Sequence, residues 1–253
     1  MRKFKTESKK LLDLMINSIY TNREIFLRDL ISNASDAVDK LYFRSLVDDS
    51  VKINRADLAI TVAYDEEART VTVSDNGIGM DKDELDKNLG TIAHSDSFEF
   101  KAQRSGADET GLADETAEDI ASADVDIIGQ FGVGFYSAFM VGGTVRVVSR
   151  AYGSDEAWAW ESDGIDGYTI TQSERSEHGT DVIVTLKADT EDESFGTYAT
   201  QQGLTSLIKK YSNYVRYPIQ MEVTKSRMKE PPADAGDDYK PEFENYTEVE
   251  TIN

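Results

Sequence analysis

The chain has 253 residues, 39% of them hydrophobic and 30% charged, with 27 lysines and arginines against 48 aspartates and glutamates and a net charge of −21. That composition allows a core in one large domain or two small ones, and its acidity argues against non-specific nucleic-acid binding, which needs a basic footprint. With no cysteine and only two histidines, His94 and His178, there is no basis for a disulfide framework and little for a structural zinc site or a Ser-His-Asp triad. Any anionic ligand must be held by local groups against an unfavourable overall field. Residues 1–10 are basic and lack the apolar core of a secretory signal, and no apolar run is long enough to span a bilayer. A soluble, cytoplasmic protein is expected.

Residues 11–20 and 25–46 carry apolar side chains at helical spacing. Two strands follow, LAITVAYD (58–65) and TVTVSD (70–75), alternating and β-branched, joined by the turn-like EEAR. Asp81 followed by Glu84 has the pattern of a capping box that opens a short helix to Leu89. Residues 105–127 are small and acidic, without Lys or Arg, as in a mobile, solvated surface segment. GQFGVGFYSAFMV comes next, then strands at TVRVVSR, AWAWES, GYTITQS and TDVIVTLK. A helix over 203–214 precedes a last strand, IQMEVT. All four prolines (Pro218, Pro231, Pro232, Pro241) lie after residue 217. The first 217 residues therefore read as a continuous body, and 230–253 as the start of an acidic linker, cut before a further domain. This uneven interleaving predicts an α+β fold, a mostly antiparallel twisted sheet with helices on one face.

The helix LRDLISNASDAVDK, residues 27–40, holds a polar row. At 100° per residue, Asn33, Asp36 and Lys40 fall within about 40° of Asp29. The apolar positions centre about 130° away, and Arg28, Ser32, Ser35 and Asp39 lie on the remaining side, where water is expected. The row thus borders the buried face, where a pocket wall would sit. One reading is an intrahelical ladder, with Asp36 and Lys40 as an i,i+4 pair. The other is a row of ligands: an Asn carbonyl for a hard cation, a carboxylate to orient or deprotonate water, a lysine to meet phosphate.

Three glycine-bearing segments bear on that choice. In SDNGIGM (74–80), Gly77 and Gly79 permit a sharp turn and close approach of a flat ligand, and Asp75, when ionised, accepts from an exocyclic amine such as that of adenine. Taken alone, such a string is an ordinary turn. GQFGVGF (129–135) runs into a helix, and its N–H groups suit phosphate; the plain alternative is a flexible hinge. HGTDVIV sets Thr180 at a strand start, where its hydroxyl could support the base site or simply open the strand.

The order of these elements, N-x-x-S-D-A, then D-x-G-x-G-M, then G-x-x-G-x-G-F, then G-T, resembles the nucleotide site of the GHKL ATPases. NREIFLRDLISNASDAVDKLYFRSL, NLGTIAHSDS and IGQFGVGFYSAFMV are similar to the Hsp90 chaperones, and the start of the chain resembles their bacterial branch. The likeness covers residues 3–229 and implies the two-layer α/β sandwich of that ATP-binding fold over residues 1–229. It implies ATP or ADP with Mg²⁺ as ligands, slow hydrolysis, unfolded client proteins as partners, and a homodimer in the full-length chain with this portion monomeric. Neither nucleic acid nor membrane is expected as a partner. By the same resemblance, Asn33 would hold Mg²⁺ and the phosphates. Asp75 would accept from the adenine amine, directly and through water shared with Thr180 and Gly79. Asp36, Met80, Asn88, Leu89 and Phe135 would line the cleft, with Lys40 at its border. Residues from about 90 to 134 would form a lid hinged at 129–134, with Gly132, Val133 and Gly134 at the phosphates. Asp29, beside Arg28, would polarise the attacking water.

Two departures stand out. The family has Glu where this chain has Asp29, one methylene shorter, and a misplacement of about 1 Å costs about 10²-fold in rate. Many relatives have Lys at the position of His94, whose imidazole is less reliably charged at neutral pH. Two other readings follow: a nucleotide-gated binding module with little hydrolysis, and a different GHKL ATPase, such as a mismatch-repair or kinase domain.

Overall fold

The computed structural model describes residues 22–90, 134–165, 167–229 and 242–253. The helix expected over 11–20, most of the lid, Gly132, Val133 and His94 lie outside them. In chain order the elements are α1 (Ile25–Val47), β1 (Ile60–Asp65), β2 (Thr70–Asp75), α2 (Lys82–Gly90), a 3₁₀ turn (Gly134–Ser137) running into α3 (Ala138–Val141), β3 (Gly142–Arg150), β4 (Ala157–Ser162), β5 (Tyr168–Ser173), β6 (Gly179–Leu186), α4 (Gln201–Tyr211), β7 (Ile219–Met228) and β8 (Phe243–Thr251).

The strands form one eight-stranded sheet in the order β5-β4-β3-β6-β2-β1-β7-β8. Every neighbouring pair is antiparallel except β1 with β7. The α+β expectation holds. In β1, Ile60 and Val62 are buried while Thr61 and Ala63 are exposed, the alternation of a sheet covered on one face. Phe26, Leu30, Ile31, Val38 and Leu41 of α1 join Ile60, Val62, Val73 and Val184 in the core. Full burial of each such side chain contributes about 1.5–3 kcal/mol.

Side-chain caps explain where α2 and α4 start. Asp81 N–H donates to Glu84 Oε2 at 2.8 Å and Glu84 N–H to Asp81 Oδ1 at 2.9 Å, the reciprocal capping box read from the sequence. Thr200 Oγ1 accepts from Gly203 N–H at 3.1 Å and opens α4. The one-turn helix α3 ends on Lys187, whose ammonium donates to the carbonyls of Phe139 at 2.7 Å and Met140 at 3.2 Å. Burial holds that lysine below its ordinary pKa.

Two expectations are corrected. Ser32, Ser35 and Asp39 of α1, expected to face water, are buried. α1 packs not only on the sheet but also against α3 and α4, and the Tyr217 hydroxyl donates to Asp39 Oδ1 at 2.6 Å. Between Asp29 and Leu41 the positions left half-open are Asn33, Ala37 and Lys40, so Asn33 and Lys40 of the polar row, not the opposite side, border solvent. The second correction concerns the acidic tail. Residues 243–251, read as linker, are an edge strand registered from Met228↔Phe243 to Gln220↔Thr251. Ile252 is buried, and Asn253 donates to the carbonyls of Val215 at 2.9 Å and Tyr217 at 3.1 Å while accepting from Ile219 N–H at 2.9 Å.

Candidate functional site

The loop after β2 is pressed onto α1. A Cβ at Gly77 would lie 2.4 Å from the Ala37 carbonyl carbon, so only glycine lets the two backbones approach this closely. Ile78 N–H donates to the Ala37 carbonyl at 3.0 Å, and Tyr152 N–H to the Ile78 carbonyl at 2.8 Å. Gly79 has φ +65°, and a Cβ there would fall 2.0 Å from the Arg150 carbonyl oxygen. His178 Nδ1 lies 2.8 Å from the Gly77 carbonyl oxygen. The loop is therefore clamped between α1 and the ends of β3 and β6, and its shape belongs to the scaffold.

Asp75 closes β2 directly opposite Thr180 of β6. Its carboxylate is buried and accepts from Gly77 N–H at 2.9 Å. Burial pushes its pKa up to about 7, opposed by the Gly77 N–H and the nearby Arg175. Arg175 fastens this corner: it forks onto Asp181 at 3.1 and 3.0 Å and donates to the Asp75 carbonyl at 3.0 Å. Ser149 lies beside Thr180, with Oγ and Oγ1 2.8 Å apart, and accepts from Met80 N–H at 2.8 Å.

At the other end of the polar row, Asp29 is buried. Its Oδ1 accepts from Arg28 Nε at 2.9 Å and Nη2 at 2.7 Å. Burial raises its pKa, while Arg28 and a hydrogen bond from Ser137 oppose the rise. A Cβ on Gly134 would lie 3.5 Å from Asp29 Cβ and 3.9 Å from Oδ2. Asn33 is four residues from Asp29 and four from Ala37, hence one turn from both glycine contacts. It is half-buried, and its amide has no hydrogen-bond partner among the described residues. Asp36 is buried and Lys40 half-buried.

The remaining wall comes from α2 and the 3₁₀ turn. Asn88 Nδ2 donates to Met80 Sδ at 3.9 Å. The Leu89 carbonyl accepts from the Tyr136 hydroxyl at 3.0 Å, and Phe135 packs edge-on against Trp160 with ring centres 5.5 Å apart. The structure thus links Asp29 with Gly134, α1 with Gly77, Met80 with Asn88 and, through Ser149, with Thr180, and Thr180 with Asp75. Ser149, Ser137 and Arg175 were not singled out in the sequence. Ser149 left a faint signal, a small polar residue after Val147 and Val148. What ties Ser137 to Asp29 and Arg175 to the Asp75 carbonyl spans about 100 residues of chain, too far for a local pattern to reveal.

Chemically, the site offers oxygen acceptors from three elements, with Arg28 committed to Asp29 and Arg175 to Asp181 and Asp75. Such a lining suits a ligand that presents an amine to Asp75, and an anion only if a cation accompanies it. Among the described residues no group of three acidic or imidazole side chains could hold a metal by itself.

The family described as histidine kinase-, DNA gyrase B- and HSP90-like ATPase matches residues 20–190. The chain is 51% identical over 252 residues to the chaperone protein HtpG of Clostridium perfringens, covering 100% of this chain and 37% of that one. It is 51% identical over 253 residues to the HtpG of Clostridium acetobutylicum and 50% over 252 to that of Clostridium botulinum, with the same shares. The chain therefore spans 37% of the length of these relatives.

Proposed function

Because this chain belongs to the histidine kinase-, DNA gyrase B- and HSP90-like ATPase family, we propose that it binds Mg-ATP beside α1 and hydrolyses it slowly, as the nucleotide-binding part of an Hsp90-type chaperone. The observation that carries this reading is Asn33. A half-buried amide with no hydrogen-bond partner among the described residues, one turn from each of two glycine contacts, is a side chain kept for a ligand.

In this reading Asp75 accepts from the adenine amine, with Thr180 and Gly79 supporting it through water. Met80, Asn88, Leu89, Asp36 and Phe135 enclose base, sugar and phosphate, with Lys40 at the rim. Gly132, Val133 and Gly134 would offer their backbone N–H groups to the phosphates. Asn33 would hold Mg²⁺ through its amide oxygen, and the ion would supply neutralisation of phosphate charge.

Asp29 is the group that orients and deprotonates water. Its raised pKa makes it a stronger base than a solvated aspartate, and Arg28, fixed on Oδ1, leaves Oδ2 on the Gly134 side. Client proteins, dimerisation through segments beyond this portion, and a cytoplasmic setting belong to the same proposal.

The shortened Asp29 supports a second reading, a nucleotide-gated binding module that hydrolyses little. Phosphate release by the full-length protein separates the two. Asp29→Glu raises turnover and Asp29→Asn abolishes it if Asp29 serves as base. Native protein as inactive as Asp29→Asn leaves only the binding module. Calorimetry that detects no heat with Mg-ATP removes both.

A further inference from the structure

Ser149 is fully buried at the end of β3, and three groups meet its hydroxyl. Met80 N–H lies 2.8 Å from Oγ, the Gly179 carbonyl 3.1 Å, and Thr180 Oγ1 2.8 Å. A hydroxyl carries one proton. The Gly179 carbonyl can only accept, so the Ser149 proton is directed there. Met80 N–H can only donate, so it takes a lone pair of Ser149. The contact between the two hydroxyls still needs a proton, and Thr180 is the remaining source. Thr180 is thereby left with lone pairs alone for whatever stands in front of it. Its partner across the β2–β6 ladder, Asp75, is also an acceptor when ionised.

We propose that Ser149 is a positioning residue for nucleobase selection: by holding the Thr180 proton it keeps Thr180 an acceptor, so that the site takes a 6-aminopurine and refuses a 6-oxopurine. This rests on the adenine reading above. An amine at C6 donates to Asp75, or to a water whose two protons are taken by Thr180 and Asp75, so that only its lone pairs face the base. A carbonyl at C6 sets lone pair against lone pair, and a buried site built for one polarity rejects the other. Asp75 does not guarantee this discrimination by itself. With its pKa near 7 it is partly protonated at neutral pH, and a protonated carboxyl can donate to a carbonyl. The serine–threonine pair does not titrate in this range. Without the Ser149 hydroxyl, the Thr180 proton is free to turn towards the base.

The test is calorimetry with Mg-ATP and with the magnesium complex of inosine triphosphate, which has a carbonyl at C6 and no amine at C2. The native chain is compared with Ser149→Ala, Ser149→Cys and Ser149→Thr. The native chain prefers ATP. Ala and Cys lower the ratio of ATP to inosine-triphosphate affinity about tenfold, the scale of one hydrogen bond, and Thr restores it. In a Thr180→Val background, Ser149→Ala no longer moves the ratio. Cys keeps the buried volume with only a weak donor, so the question stays answerable where Ala fails to fold. An unchanged ratio in a folded Ala or Cys variant overturns the proposal, as does an equal loss of both nucleotides. A native chain that binds neither nucleotide, or both alike, overturns the adenine reading and this inference with it.

Discussion

The α1–β2 region and the β7–β8 edge both concentrate carboxylates, and they hold them in opposite ways. On the edge, Lys225 pairs with Glu248 and Glu250. Arg227 donates to Glu244 at 2.6 Å and Lys229 to Glu242 at 3.2 Å, and the Arg227 guanidinium lies 5.3 Å from the centre of the Tyr246 ring. These groups are at or near the surface, where each pair contributes little. Around α1 and β2, Asp29, Asp36, Asp39 and Asp75 are buried. Asp29 has an arginine fork, Asp39 a tyrosine hydroxyl and Asp75 a backbone N–H. Burying a carboxylate is costly, and the cost is met by strong partners or kept for a task. The contrast teaches that total charge says little about where chemistry happens. Which carboxylates are buried, and what holds them there, says much more.

The comparison is broken most severely at Asn33. Asn33→Ala abolishes Mg-ATP binding by calorimetry and shifts the melting temperature by no more than a surface change does, because the half-buried amide makes no hydrogen bond among the described residues. Unaltered affinity in that variant ends its role as metal ligand.

Asp75→Asn follows, and it has two readouts. Adenine-nucleotide binding is lost, since an amide cannot supply the same charge to the amine. Stability moves with pH in a defined direction. The folded pKa of Asp75 is raised from 3.8 to about 7, so its stabilising share is complete below the unfolded value and lost as pH rises through about 7. The melting temperature of Asp75→Asn relative to native therefore climbs from pH 5 to pH 8. A difference that is flat, or that falls with pH, contradicts the raised pKa.

Tyr217→Phe removes a hydroxyl donor to the buried Asp39 carboxylate without removing the ring, and it costs about 1–3 kcal/mol in chemical denaturation. Nucleotide affinity is retained, which sets Asp39 apart from the candidate ligands on the same helix. The smallest effect is at the edge. Arg227→Ala lowers the melting temperature by about 1–3 °C, and raising the salt concentration erases part of the difference. An effect as large as that of Tyr217→Phe, or one indifferent to salt, shows that the ladder is more than a set of surface pairs.

The strands from β1 to β7 were legible because their periodicity and β-branched residues act locally, and β2 and β4 match the expected bounds to the residue. The capping box at Asp81 is equally local. β8 was not legible. EFENYTEVET reads as an acidic tail until the cations of β7 stand across from it, and pairing is a relation between strands. For the same reason the wet face of α1 was misassigned. Helical angles distinguish sides, but what covers a side is decided by elements such as α4 and Tyr217, nearly 180 residues away in the chain.

The candidate site divides along the same line. Order and identity were present in the sequence alone: an asparagine and two aspartates in helical register, an aspartate before paired glycines, a threonine opening a strand. The sequence also determined that Gly77 and Gly79 could approach other backbones, because the absence of a Cβ is a property of the residue. Only the tertiary structure decided that Gly77 meets Ala37, that Asp75 is buried deeply enough for its pKa to rise, and that Ser149 reaches Thr180. Chemistry resides in single residues, whereas burial, proton direction and pKa arise between residues that the chain keeps far apart until it folds.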